Sequence, residues 1–334
     1  MRKRSFLLVA GACLATLSLA VGTALAGPVP AQPPYRALQG TGSDTTQDVM
    51  NAYANGTSVI SPAFPGVKDG SGNFVIASWD ASPGSATITT KDPATFPQCS
   101  NIPRPNGSSD GINALAGLKA GFPKECVDFA RSSTNDASTR TGQGLTYIPF
   151  AQDAVTYATF GQSSVPKNLP LATLKTIFQA NTPNCTTFHP KVPQNLSGTW
   201  KFWNQKIGPF GNCVEQTTFE EHDGAIIGTD AKAIAPYGVG PWIAQTTNKT
   251  VTDRHGGAIL RGINGQSPFN FASFPLSRLL FNVIPTSDIG VEPWASTFVG
   301  PNSQICQHPE VLSPFGIQPA PAANPCGSTT IQTP

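Results

Sequence analysis

Residues 40–46 have the sequence Gly-Thr-Gly-Ser-Asp-Thr-Thr, and this stretch leads from a short predicted strand into a predicted helix. Two further Gly/Ser/Thr-rich segments, 106–111 and 196–200, also run straight into predicted helices. A helix that starts after small, hydroxyl-bearing residues presents free N–H groups and a positive dipole end to an anion. One such segment is a common helix cap. Three in one chain predict a site that surrounds a small oxyanion with backbone amides and hydroxyls.

Residues 1–26 have the pattern of a secretory signal peptide. A basic start, Arg2 to Arg4, precedes the apolar stretch 6–21, and Ala24-Leu25-Ala26 fits the small-x-small cleavage pattern. A membrane anchor is the alternative, but the apolar run is short and no charged stop follows it. We therefore expect a secreted protein, extracellular or periplasmic, without stable membrane insertion.

The charge balance excludes two classes of partner. Loss of the signal takes the 21 Lys and Arg residues to 18, against 19 Asp and Glu, so the mature chain carries a formal charge of −1. Such a balance offers no electrostatic footprint for nucleic acid or an anionic membrane. With 32 Gly, 32 Pro and 39% hydrophobic residues, the chain has many turns but enough apolar residues for a large core, and its length favours two lobes.

Six cysteines remain after the signal, an even number in an exported chain. Six cysteines allow 15 pairings. We expect neighbours in sequence to pair, as Cys99–Cys126, Cys185–Cys213 and Cys306–Cys326. A zinc site is the alternative, but no CxxC pair is present and the spacings are wide.

Strands alternate with loops that lead into helices, which is typical of α/β proteins. Apolar periodicity predicts helices over 45–54, 112–118, 171–180 and 200–207. Extended runs predict strands over 74–79, 127–130, 145–150, 154–158, 226–228, 234–238 and 281–284. The Pro/Ala-rich tail beyond residue 313 is predicted to be loop, held only by its cysteines.

Several motifs occur in the same order as in the phosphate-binding solute receptors of ABC importers. The chain resembles this family, and most closely a secreted phosphate-receptor-like branch of it, in the segments 40–44, 107–112, 126–133 and 148–155. Further resemblance lies in residues 169–178, in Ser197-Gly198-Thr199, which matches the SGT anion loop of the family, and in 274–283. No single motif is specific, and the ordered set, spanning about 39–284, carries the resemblance.

The resemblance implies an α/β, two-lobed periplasmic binding protein-like type II fold, with two crossover strands and a ligand cleft between the lobes. We expect lobe 1 over 27–150, lobe 2 over 151–249, and a return into lobe 1 over 250–334 that includes the tail. It implies a monomeric receptor for a small oxyanion, phosphate first, that works with an ABC permease. It implies no enzyme activity, cofactor or metal.

The three loops and the strand after residue 126 together supply the predicted site. The ligand-binding residues would be Thr41, Gly42, Ser43, Asp44, Thr45, Ser108, Ser109, Arg131, Ser132, Ser133, Ser197, Gly198 and Thr199. The serines could instead be simple helix caps, because capping uses the same N–H geometry. Arg131 could likewise be a surface ion pair with Asp128 or Asp136.

Because this chain departs from the family pattern at two positions, the identity of the anion that it would bind stays open. The family usually carries an Arg four residues before the Ser of the SGT loop, and here that position is Pro193, with Lys191 nearby. Lysine cannot make the bidentate fork of arginine. The family's third loop commonly offers a carboxylate, whereas this chain has Arg131-Ser132-Ser133, so Arg131 could supply the missing cation from the opposite lobe.

Three other interpretations remain open. Residues 107–111 satisfy G-x-S-x-G, which would make Ser109 the nucleophile of a serine hydrolase with Asp223 and His255, but no apolar strand precedes the motif. Residues 220–223, Glu-Glu-His-Asp, have a metal-like composition, yet a solvated helix end explains them better. The third interpretation is a receptor-like extracellular domain without a transport role.

Overall fold

The computed structural model describes residues 35–81, 86–183, 185–271 and 273–334, so the predicted signal peptide lies outside the described residues. Within them the α-helices are α1 (Gln47–Asn55), α2 (Ser108–Leu115), α3 (Leu171–Phe178), α4 (Gly198–Ile207), α5 (Val239–Thr247) and α6 (Trp294–Phe298). Short 3-10 helices cover Pro97–Cys99, Lys124–Cys126, Ala137–Thr139, Gly224–Ile226, Thr286–Asp288, Pro309–Val311 and Ser313–Phe315. None of the helices described is long and apolar enough to cross a membrane.

The strands belong mostly to one long sheet. They are β1 (Leu38–Gly42), β2 (Ile76–Ser78), β3 (Thr87–Ile88), β4 (Ile102–Pro103), β5 (Phe129–Ser132), β6 (Leu145–Phe160), β7 (Asn168–Leu169), β8 (His189–Val192), β9 (Glu215–Gln216), β10 (Ala233–Gly238), β11 (Ala258–Leu260), β12 (Gly262–Ile263), β13 (Ser277–Pro285) and β14 (Gln318–Pro319). Ten of them form a sheet with the order β2-β1-β5-β13-β6-β10-β8-β9, and β11 and β14 also pair with β6.

Strand β6 is 16 residues long and passes through both lobes. Its first half pairs antiparallel with β13, from Leu145 opposite Pro285 to Ala154 opposite Ser277. Its second half pairs with β10 and β11. The register between β6 and β13 shifts beside Pro149, as expected where a proline removes a ladder donor. Strands β6 and β13 are therefore the two crossovers between a first and a second lobe.

Apolar packing separates two main cores on either side of these two strands, although Ala244 and Val251, which lie between the strands in sequence, pack into the core of the first lobe. In the second lobe, Trp203 of α4 and Phe178 of α3 meet edge-on, with ring centroids 5.5 Å apart, at the centre of a buried core. That core continues through Ala258 to Leu276, whereas the sequence prediction assigned 250–334 to the first lobe. We propose that the return into the first lobe begins at Ser277, because β13 starts there.

Two local predictions were wrong. Residues 226–228 do not form a strand, because Asp223 caps a short 3-10 helix, Gly224–Ile226, by accepting from the N–H of Ala225. The tail is held by more than its cysteines. Its strand β14 pairs with β6, and the N–H of Leu145 donates to Thr333 Oγ1 over 3.0 Å. Pairing with β6 therefore fixes the tail, although its Pro/Ala-rich composition indicated a loop.

The three disulfides are those predicted from sequence order, Cys99–Cys126, Cys185–Cys213 and Cys306–Cys326. They close loops of 27, 28 and 20 residues. Each loop of this length restricts the unfolded chain by an amount worth about 3 kcal/mol in the chain-entropy model. Three such bonds are typical of proteins that leave the reducing cytosol.

Candidate functional site

The loops that follow β1 and β5 come together with the first turns of α2 and α4 between the lobes. Parallel strands β1 and β5 place Gly42 beside Arg131, so their carboxyl ends share one edge of the sheet. Gly42 has φ of 119°, and a Cβ there would lie 2.5 Å from the carbonyl oxygen of Arg131. Glycine is therefore required at this turn. All thirteen residues predicted from the sequence as ligand-binding are buried here.

Arg278 and Asp153 lie at the centre of this site, and the sequence analysis did not select either. They are opposite one another on β13 and β6, and Nη2 of Arg278 donates to Asp153 Oδ2 over 2.9 Å. Their side chains are 2% and 0% exposed. Asp153 also accepts from the N–H of Gly240 at the start of α5. A lone Arg in the apolar run 276–283 was the available signal, because a buried charge requires a partner.

The guanidinium of Arg278 donates hydrogen bonds to hydroxyls of both lobes. It donates to Thr199 Oγ1 of α4 over 3.0 Å and to Thr45 Oγ1, in the loop before α1, over 3.1 Å. A longer contact of 3.4 Å reaches Ser133 Oγ after β5. Two of the predicted loops and the segment after β5 therefore meet at one fixed cation, which comes from a crossover strand.

The SGT segment forms the N-terminus of α4, as predicted, and it holds a carboxylate of the chain itself. Glu221 Oε2 accepts from the N–H of Thr199 over 2.8 Å and from the hydroxyl of Ser197. Its other oxygen lies 3.4 Å from Thr45 Oγ1. Glu221 is 1% exposed. Donors at this helix end thus bind an oxyanion, as helix N-termini favour.

Residues 220–223 were predicted to be a solvated helix end, and this prediction was wrong. They form a turn that enters the site, and Glu221 and His222 are both buried. The backbone carbonyl of His222 fixes the turn by accepting from Tyr237 Oη over 2.6 Å and from Gln245. The turn therefore does not depend on a helical pattern in its own sequence. Tyr237 and Gln245, which are distant from it in the chain, supply the hydrogen bonds that hold it.

Asp44 forms a second charged group beside Glu221. Its Oδ1 accepts from Nη2 of Arg254 over 3.0 Å, and its Oδ2 lies 3.6 Å from Nδ1 of His222. Burial raises the pKa of the Asp44 carboxyl, but Arg254 and His222 more than offset this and hold the pKa below its usual value. The coulombic pull of Asp44 raises the pKa of Arg254. This group is therefore a buried ion pair between the loop before α1 and the segment before β11.

Ligand atoms of Asp44, Glu221 and His222 all lie within 4.8 Å of one another, which is a spacing that could hold a metal ion. Both carboxylates already have strong donors, however. Arg254 binds Asp44, and the N-terminus of α4 binds Glu221. A divalent cation would have to displace or face these positive groups, so we assign no metal to the cluster.

Serine hydroxyls line the part of the site that belongs to the first lobe. Ser108 Oγ accepts from the N–H of Ser133 over 3.1 Å, and the two hydroxyls are 3.3 Å apart. Ser132 makes a local turn with Thr134. Four further buried hydroxyls have no hydrogen-bond partner, those of Thr41, Ser43, Thr46 and Ser109. Buried hydroxyls without partners are costly, so this cluster favours a polar ligand or water.

Gly198 brings the two lobes into direct contact. A Cβ at this position would lie 2.2 Å from Ser133 Oγ and 2.4 Å from Ser108 Oγ. Gly107 makes a similar approach, with φ of 91° and a carbonyl oxygen of Leu196 2.6 Å from the place of a Cβ. Both glycines permit close approach that any side chain would prevent.

Arg131 does not supply the cation at this meeting point. Its guanidinium donates to Ser78 Oγ and to the carbonyl of Trp79, each over 2.9 Å, and reaches the carbonyl of Ser43 over 3.3 Å. Burial lowers the pKa of Arg131 to about 10. These partners all belong to the first lobe, so the side chain supports the loop after β1 from beneath. Arg278 occupies the role that the sequence analysis gave to Arg131.

The residues of the alternative hydrolase are not linked to one another. Ser109 Oγ has no hydrogen-bond partner, and Ser109 is the second residue of α2, a helix that was predicted to begin only at residue 112. Asp223 caps a 3-10 helix, and Nδ1 of His255 pairs with Asp253. A nucleophilic serine needs a base within hydrogen-bond reach, and among the residues described none occupies that position.

Comparison with known proteins shows the fold. A scan against protein-family models gives no match, and a search of curated proteins gives none either. Among solved structures, a putative phosphate ABC transporter substrate-binding protein with bound phosphate from Clostridium perfringens is similar, with TM-score 0.51 and 12% identity over 85% of this chain and 99% of that one. A phosphate-binding protein from Stenotrophomonas maltophilia has TM-score 0.49 and 12% identity over 86% and 91%. The predicted two-lobed binding-protein fold is confirmed.

Proposed function

We propose that this protein binds a small oxyanion, with phosphate as the leading candidate, between its two lobes. The observation that carries the proposal is the binding of the Glu221 carboxylate by Ser197 and Thr199 at the start of α4. The same segment that was predicted to bind an anion therefore has the donors and the geometry to do so. Its neighbour Arg278 adds a fixed guanidinium.

The chemistry of the site suits a tetrahedral oxyanion. Nη1 and Nη2 of Arg278 donate to the hydroxyls of Thr199 and Thr45. An anion that displaces these two hydroxyls would receive two parallel N–H groups, which is the geometry that makes arginine a strong phosphate ligand. The unpartnered hydroxyls of Ser43 and Ser109 are available to further oxygens. Hydrogen bonds to a charged group are worth about 1.5–3 kcal/mol each, so several of them can offset the cost of removing water from the anion. Closure of the lobes then follows from binding in a hinged cleft.

We further propose that the protein acts outside the cytoplasm as a monomeric receptor for ABC-type uptake. The fold, the three disulfides and the predicted signal peptide support this placement. It would deliver its anion to a membrane permease and perform no chemistry itself. The remaining alternative is a receptor-like extracellular domain without a transport role.

Calorimetric titration of the ligand-free mature protein with phosphate, then sulfate and simple carboxylates, tests the proposal. Thr199→Ala and Ser109→Ala should each weaken phosphate binding at least tenfold, because each removes a hydroxyl from the site. Thr176→Ala is the matched control, since Thr176 is an exposed helical threonine bonded to its own backbone. Equal affinity of all four proteins for phosphate would contradict the site assignment.

A further inference from the structure

We propose that Glu221 is a tethered competitor that occupies the anion position of its own binding site. The inference rests on the proposed function. It adds that an anion binds only if its affinity for the site is high enough to displace the Glu221 carboxylate. Glu221 lies on the second lobe, and its carboxylate takes the two donors that begin α4, the N–H of Thr199 and the hydroxyl of Ser197. An incoming anion needs those same donors.

The turn that carries Glu221 is built to hold the carboxylate in place. The carbonyl of the next residue, His222, accepts from Tyr237 and Gln245, and all three residues are buried. His222 also points its ring toward Thr199 Oγ1, with Nε2 3.4 Å away. A side chain held this firmly pays little entropy when it binds, because most of its freedom is already lost. It therefore acts as an anion at high effective concentration.

The lobes are closed around this carboxylate. Gly198 lies directly against Ser108 and Ser133 of the first lobe, and the second oxygen of Glu221 reaches Thr45. Binding of a free anion at α4 therefore requires that Glu221 leaves and that the lobes separate enough to admit the ligand.

The competition selects among ligands by charge and by number of oxygens. A simple carboxylate offers only what Glu221 already supplies, and it lacks the advantage of the tether. Phosphate, which carries more than one negative charge on average at pH 7 and has four oxygens, can bind α4 and the guanidinium of Arg278 together. In the wild-type protein we expect multivalent oxyanions to bind and acetate to be excluded.

Phosphate and acetate titrations of wild type, Glu221→Ala and Glu215→Ala test the inference. Glu215 is the matched control, because its exposed carboxylate lies on the same lobe and pairs with Lys191 over 3.3 Å. Phosphate should bind Glu221→Ala at least tenfold more tightly than wild type, and Glu215→Ala should match wild type. Acetate should raise the melting temperature of Glu221→Ala alone, because it replaces the missing carboxylate.

The outcomes separate this inference from the function on which it rests. Phosphate binding by wild type and Glu221→Ala with equal affinity, or more weakly by the variant, overturns the competitor role and leaves the binding function standing. Absence of phosphate binding in all three proteins overturns both. Should Glu221→Ala fail to fold, Glu221→Gln serves instead, since its amide oxygen still accepts from Thr199 while the charge is gone. A gain of threefold or more in phosphate affinity is then expected, and no gain overturns the inference.

Discussion

The buried pair of Arg278 and Asp153 joins the two crossover strands, so breaking it should damage folding and binding together. Arg278→Gln leaves the carboxylate of Asp153, which is fully buried, with one backbone donor from Gly240. Removing one partner of a buried ion pair costs about 3–5 kcal/mol, because the remaining charge stays away from water. The variant should also lose the hydrogen bonds to Thr199 and Thr45 that fix the two loops.

A double-mutant cycle isolates the contribution of the pair. Asp153→Asn should be destabilising by a similar amount, since it leaves the guanidinium unpaired. The combination Asp153→Asn/Arg278→Gln removes both charges, so its cost should fall short of the sum by about 2 kcal/mol, within the range found for residues that share one network. Urea unfolding followed by fluorescence gives the three free energies. Additivity within about 0.5 kcal/mol would refute the buried ion pair as the link between the crossovers.

Two further changes test the packing between the lobes and the charge of Asp48, which lies in the first turn of α1. Gly198→Ala places a methyl 2.2 Å from Ser133 Oγ, so the lobes should separate and the radius of gyration in solution scattering should rise, whereas Gly70→Ala, with nothing within 4 Å, should leave it unchanged. Burial and repulsion from Asp80 raise the pKa of Asp48 from 3.8 to about 7. The unfolded chain therefore loses this proton first, and stability should fall by up to about 4 kcal/mol as pH rises from 4 to 7. Asp48→Asn should flatten this dependence in urea unfolding, and an unchanged slope would contradict the assignment.

The fold could be predicted from the sequence because its signals are local. Helices α1, α2 and α4 follow loops rich in Gly, Ser and Thr, and α3 follows a proline. The apolar runs that form β6 and β13 can be recognised in the sequence. The disulfides followed from the order of the cysteines, each with its neighbour. The turn at 220–223 and the tail were not predicted, because distant strands and helices supply their hydrogen bonds.

The loops of the candidate site and the carboxylate of Asp44 were predicted, but the charged residues Arg278 and Glu221 were not. Helix starts such as Ser197 and Ser108 are recognised from residue type alone, since capping and anion binding use the same N–H groups. Arg131 was chosen because it follows a buried strand, but its side chain bonds to the first lobe. Arg278 reaches Thr199 because β13 pairs with β6. Glu221 reaches Thr199 because the turn at 220–223 enters the site. Contacts of this kind depend on the fold and leave no short motif.

The structure of the protein crystallised with saturating phosphate tests the central claim most directly. The account predicts one phosphate between the lobes, bonded to the N–H of Thr199 and to the guanidinium of Arg278, with the Glu221 carboxylate displaced from the start of α4. Glu221 still bound to Thr199 and Ser197 in those crystals, with no phosphate between the lobes, would contradict it.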